Sequence, residues 1–136
     1  MIKQGEIKME TGIKGKLSIK VTNENTAAAL GSGTLNVFST PAMIALMEKT
    51  AWESVAPYLA DGESTVGISL DVKHLAATPV GDTVTCESEL VEVDRRRLVF
   101  TLKVSDSTDV IGEGKHERFV VTNEKFMAKA ASKLAK

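Results

Sequence analysis

Apolar residues alternate from Lys14 to Thr22, with Leu17, Ile19 and Val21 in one phase, which predicts a half-buried strand. The pattern weakens from Thr26 to Phe38, where Gly31-Ser32-Gly33 supplies two permissive positions, and a mobile flap is expected there. Thr40 reads as a helix N-cap with Pro41 at the first helical position. From Ala42 to Tyr58 apolar residues run around the whole circumference, predicting a long, mostly buried helix that Pro57 limits. A turn at Asp61-Gly62-Glu63 leads into a strand whose Val66, Ile68, Leu70, Val72 and Ala76 share one parity, with His74 in the same apolar phase. Thr83 to Val93 is a third strand. Its parity changes between the Val84, Cys86, Leu90 set and the Val91, Val93 pair, which predicts a bulge or strong bend. Asp94 to Arg97 turns the chain into a fourth strand carrying Leu98, Phe100, Leu102 and Val104, and Val110 to Thr122 is a fifth. Asn123 to Lys136 reads as an amphipathic helix with Lys125, Lys129 and Lys133 at i, i+4 spacing.

One long apolar helix followed by four consecutive strands implies an α+β fold: a central helix wrapped by a curved antiparallel sheet of about five strands, forming a single domain over residues 1–136. Seventeen Lys and Arg against 18 Asp and Glu leave a net charge of −1, too little field to steer the chain onto a phosphate backbone, so no nucleic-acid partner is expected. The single cysteine, Cys86, has no Cys-x-x-Cys or His-x-x-x-His companion, which argues against a structural metal or a redox pair and fits a reducing cytoplasm. The opening segment lacks an apolar core, and the longest uninterrupted hydrophobic run, Ala42 to Met47, is far short of the roughly 20 residues that span a bilayer. The expectation is a cytoplasmic protein without a membrane partner.

Three polar residues interrupt apolar positions or end the buried helix: Thr40, Glu48 and His74. A carboxylate inside an apolar helix is costly unless paired, so Glu48 is either functional or on a narrow solvated strip beside Lys49 and Glu53. For His74 the alternatives are chemistry or a core histidine bonded to a backbone carbonyl, and for Thr40 an ordinary cap. Gly67 marks either close backbone approach or a ligand contact, and Gly112 and Gly114, in one phase, would let the helix come close. No Gly-x-Gly-x-x-Gly precedes a helix and no Gly-x-Ser-x-Gly elbow is present, which removes dinucleotide-binding and serine-hydrolase readings. Arg95-Arg96-Arg97 and the terminal lysines are solvated charges or phosphate contacts.

Val37-Phe38-Ser39-Thr40, Leu46-Met47-Glu48 with Ala56-Pro57-Tyr58-Leu59, Val72-Lys73-His74-Leu75-Ala76-Ala77-Thr78-Pro79, and Gly114-Lys115-His116-Glu117-Arg118 together resemble the fluoroacetyl-CoA thioesterase group of hotdog-fold proteins. The resemblance implies a hotdog domain that hydrolyses an acyl-CoA thioester. It places Thr40, Glu48 and His74 on the family's catalytic threonine, glutamate and histidine, Gly67 on a glycine whose N–H helps bind the thioester carbonyl, and Arg118 on an arginine near the site. Leu35 and Phe38, two apolar side chains of the flap segment, are assigned with Gly67 and Arg118 to substrate binding. Where members specific for the fluorinated substrate carry shielding phenylalanines, this flap reads Gly31-Ser32-Gly33-Thr34-Leu35-Asn36, so the expectation is that it admits other small acyl groups or closes on something larger.

On this reading Glu48 acts as general base toward water or as a nucleophile forming a transient anhydride, His74 orients or protonates, Thr40 bonds Glu48 or substrate, and the Gly67 N–H stabilises the oxyanion. No metal or cofactor is required; coenzyme A arrives as part of the substrate, its phosphates meeting Arg95–Arg97 or the terminal lysines. A histidine and a carboxylate on this fold also suit hydration or dehydration of an acyl thioester, and a non-catalytic acyl-CoA binding module is the other alternative. Lengths add a constraint on assembly. Gly67 and His74 lie seven residues apart on one strand, about 23 Å, too far to touch one thioester. Antiparallel pairing of that strand with its own copy, about an axis between Leu70 and Asp71, sets Gly67 opposite His74 of the partner subunit, so a homodimer or dimer-based oligomer is expected.

Overall fold

The computed structural model describes residues 9–135. Strands β1 (Lys14–Lys20), β2 (Glu63–His74), β3 (Thr83–Asp94), β4 (Arg97–Ser105) and β5 (Val110–Thr122) form one antiparallel sheet in the order β1-β3-β4-β5-β2. Helix α1 (Ala27–Leu30) is a single turn, α2 (Thr40–Val55) is the long helix, continued by a 3-10 turn over Ala56–Tyr58, and α3 (Asn123–Ala131) follows β5. The long helix and the five-stranded antiparallel sheet are those that the sequence pattern and the resemblance to hotdog proteins imply.

Met43, Leu46, Met47, Thr50, Ala51 and Val55 of α2 are buried at i, i+3, i+4 spacing against the sheet. Phe38, Val84, Leu102, Val104 and Ile111 close one half of the core, and Leu90, Leu98, Phe100 and Val120 the other. The helix expected to be mostly buried is buried along one stripe: Ala45, Trp52 and Ala56, on the opposite stripe, are exposed, because an open five-stranded sheet covers only one side of a helix. Gly112 meets the other expectation, since a Cβ there would stand 2.5 Å from Met43 Sδ of α2; Gly114 instead adjoins the Asp71 carbonyl of β2.

The parity change in β3 is a register shift between Leu90 and Glu92, at the predicted place. A second bulge, between Gly67 and Ser69 of β2, had no counterpart in the sequence reading; it sets Val66, opposite Phe119, and Leu70, opposite His116, on different faces, and at this sheet edge Ile68 and Leu70 are both exposed. The flap segment is tied down near its ends. Thr26 caps α1 by accepting from the Ala29 N–H, and isolated bridges join Thr26 to Phe38 and Val37 to Pro79. Among the described residues no helix is long and apolar enough to cross a membrane.

Candidate active site

Ser39, not Thr40, caps α2. Its extended backbone and its hydroxyl, which accepts from the Ala42 N–H at 3.1 Å, fulfil that role, and Thr40 becomes the first helical residue. The Thr40 hydroxyl is thereby released from capping and lies 2.7 Å from His74 Nδ1, at the end of β2. It does not bond Glu48. His74 Nε2 is buried and has no hydrogen-bond partner among the described residues. Burial holds the His74 pKa below the usual histidine value, favouring a neutral imidazole. The pair opens on a cleft of about 390 Å³, walled by Ser32 and Val37 of the flap and by Leu75. Phe38 forms part of that wall while its side chain is 1% exposed, anchored in the core; Leu35 is 68% exposed.

A second cluster lies two turns further along α2. Glu48 is neither fully buried nor unpaired: its side chain is 39% exposed and its Oε2 accepts from Arg118 Nη1 at 3.2 Å. Arg118, 6% exposed, donates from Nε to the Thr65 hydroxyl at 2.8 Å, from Nη2 to the Thr65 carbonyl at 2.9 Å, and from Nη1 also to His116 Nε2 at 3.0 Å. Burial lowers the arginine's pKa while the Glu48 charge opposes that fall, so the guanidinium remains a cation. Gly67 is paired with Arg118 across the β2–β5 ladder, and a Cβ on it would stand 2.6 Å from Glu48 Oε2. Close approach explains this glycine whatever its backbone N–H does. Beside the cluster, Trp52, Ala56, Leu59 and Thr65 line a cleft of about 350 Å³ to which Arg118 also contributes.

A model of the fluoroacetyl-CoA-specific thioesterase family matches residues 21–124, more than half of the chain and inclusive of every residue in both clusters. The chain belongs to that family. The fluoroacetyl-CoA thioesterase of Streptantibioticus cattleyicolor is 46% identical over 97 residues, covering 71% of this chain and 70% of its relative. A solved structure of a fluoroacetyl-CoA thioesterase is 38% identical with a TM-score of 0.88, covering 93% of this chain and 98% of that one. A hot-dog-like protein from Thermanaerovibrio acidaminovorans, 25% identical over 90% of this chain and 91% of its own, superposes with a TM-score of 0.83.

Of the residues assigned from the sequence, this thioesterase-family chain brings Thr40 to His74 and Glu48 to Gly67 and Arg118, as two separate groups. Thr40 and Glu48 are both helical, eight residues apart and therefore about 12 Å along α2. Thr65 and His116 received no role from the sequence. The signal was present for one of them: His116 and Arg118 share the inward parity of Gly112 and Val120 on β5. The core histidine bonded to a backbone carbonyl, one alternative for His74, is in fact His116, whose Nδ1 lies 2.8 Å from the Ser69 carbonyl. Arg97 is engaged by Glu92 and Glu117 at 2.8 Å each, Arg96 by Glu63 at 3.2 Å and Arg95 by Asp94 at 3.5 Å, so all three guanidiniums of the turn already face carboxylates. Among the described residues no cluster of three His, Cys, Asp or Glu is placed to hold a metal ion.

Proposed function

We propose that this family member hydrolyses a small acyl-CoA thioester at a site composed of both clusters, each supplied by a different copy of the chain. Membership of a thioesterase family carries the reaction class. One observation carries the composite site: Gly67, beside Glu48, and His74, bonded to Thr40, lie on one edge strand opposite Arg118 and Gly112 of β5, about 20 Å apart for six extended residues. β2 is one of the two outer strands of the sheet, 12 residues long and paired with β5 alone among the described strands, with Ile68 and Leu70 exposed on it. Pairing two such edges antiparallel about an axis between Leu70 and Asp71 sets Gly67 opposite His74 of the partner subunit and forms two sites at once.

In each site the Glu48 carboxylate, held by Arg118 through Oε2, attacks the thioester carbonyl or takes a proton from the attacking water. The Gly67 N–H receives the developing oxyanion. Thr40 fixes the neutral His74 ring through Nδ1, leaving Nε2–H to hydrogen-bond the departing sulfur; the proton that Glu48 takes from water neutralises the leaving thiolate, and on the nucleophilic route water then hydrolyses the acyl–Glu48 anhydride to the free acid and carboxylate. This chemistry draws on no metal or redox cofactor, and coenzyme A enters as part of the substrate. The acyl group points into the cleft beside Trp52 and Leu59, and the flap carries no phenylalanine between Gly31 and Asn36 to restrict it to fluoroacetyl. A single buried, unpaired thiol, Cys86, suits a cytoplasmic setting.

The test is thiol release from a series of short acyl-CoAs. Release that drops at least about 100-fold in Glu48→Gln supports hydrolysis. Loss of enoyl absorbance without thiol would identify a hydratase, and turnover no higher than that of Glu48→Gln would leave a binding module.

A further inference from the structure

His116 has no exposed surface, and its two ring nitrogens face groups of opposite character. The Ser69 carbonyl oxygen is 2.8 Å from Nδ1, and Arg118 Nη1 is 3.0 Å from Nε2. A carbonyl oxygen only accepts and a guanidinium only donates, so the ring carries its proton on Nδ1 and presents a bare lone pair on Nε2. The partners themselves dictate this tautomer. An imidazolium would set an N–H against the guanidinium, and burial lowers the His116 pKa in the same direction.

Both partners lead to the proposed reaction centre. Ser69 closes the β2 bulge that begins at Gly67, and the bulge determines how Gly67 is presented beside Glu48. Arg118 uses the same Nη1 for His116 and for Glu48 Oε2. The imidazole edge also borders Gly67 itself, with Cε1 3.2 Å from where a Cβ would stand. We propose that His116 is a positioning residue for thioester hydrolysis: as the neutral Nδ1–H tautomer it fixes the Gly67 bulge through Ser69 and the Glu48 carboxylate through Arg118, setting the distance between oxyanion donor and attacking group without touching substrate. The inference rests on the roles given to Glu48 and Gly67 under the proposed function.

Two variants and one spectrum test it. His116→Phe keeps a ring and loses both hydrogen bonds; His116→Gln keeps one donor and one acceptor about as far apart as the ring nitrogens. Folding is checked by circular dichroism and thermal unfolding. Displacement of preorganised groups predicts a fall in kcat of about tenfold or more for the Phe variant, with KM changed less than about threefold, and recovery of most of the loss by Gln. Nitrogen-15 spectra of the wild type should show Nδ1 protonated and Nε2 unprotonated at neutral pH. A folded Phe variant with wild-type kcat, a folded Gln variant no better than Phe, or a ring protonated on Nε2 would each overturn the proposal. If the Phe variant does not fold, the Gln variant and the spectrum decide. A wild type that releases no thiol from any acyl-CoA defeats the hydrolysis reading itself, and an active wild type whose His116 variants are unchanged defeats this inference alone.

Discussion

A Cβ on Gly67 would stand 2.6 Å from Oε2 of Glu48, closer than real side chains approach, so any residue but glycine at this strand position has to displace the tip of that carboxylate side chain from where it now lies. Gly67→Ala must move Glu48 off Arg118 or open the β2 bulge. Because misplacing a reacting group by about 1 Å costs on the order of 100-fold in rate, kcat should fall by about 10- to 100-fold while the chain stays folded. Steady-state kinetics with thermal unfolding checks this, and wild-type kcat would contradict it.

Arg118 spends its donors on Thr65, His116 and Glu48, a fan that a lysine cannot reproduce. Since Glu48 is partly solvated, most of the loss in Arg118→Lys comes from the buried bonds to Thr65 and His116 rather than from the ion pair. A destabilisation on the order of 2 kcal/mol is expected in urea unfolding, with activity lowered further by the freed carboxylate.

Mixing tests the composite site without a structure of the dimer. Glu48→Gln and His74→Ala should each be nearly inactive, yet a heterodimer of the two retains one site with both groups intact. Unfolding and refolding an equal mixture should restore activity to about a quarter of wild type, because half the random dimers carry one good site of two. No recovery would place Glu48 and His74 of each site in the same chain.

Burial holds both His74 and His116 below the usual histidine pKa of about 6.5. The unfolded chain therefore binds protons that the folded chain refuses as pH drops through and below 6.5. Stability should be fully present above about pH 7 and decline as pH falls through that window, and His116→Gln should flatten the decline. Urea midpoints between pH 5.5 and 7.5 read the slope; a rise toward acid pH would contradict it.

Cys86 is completely buried, and desolvation pushes its thiol up to about 11. The native protein should not react with a thiol reagent at pH 8, whereas urea-unfolded protein should give its single equivalent. Thiol appearing in an acyl-CoA assay then comes from substrate.

Alternation and helical period in the sequence determined the strands, α2 and the β3 bulge, because a face that meets the core must repeat every two or every 3.6 residues whatever it packs against. Breaks in that pattern marked Thr40, Glu48, His74 and Gly67, and resemblance gave them roles and added Arg118. Tertiary structure decided which of them meet. It gave the capping role to Ser39 and so released the Thr40 hydroxyl to His74, supplied Glu48 with a buried guanidinium, and placed the β2 bulge beside His116. Those outcomes depend on Thr65, Ser69, His116 and Arg118 arriving from β2 and β5, nearly fifty residues apart in sequence at Ser69 and His116. Local periodicity carries no information on such a pairing. Register between distant strands is set by the whole sheet closing on one stripe of α2, and only there does a histidine in an inward phase acquire its partners.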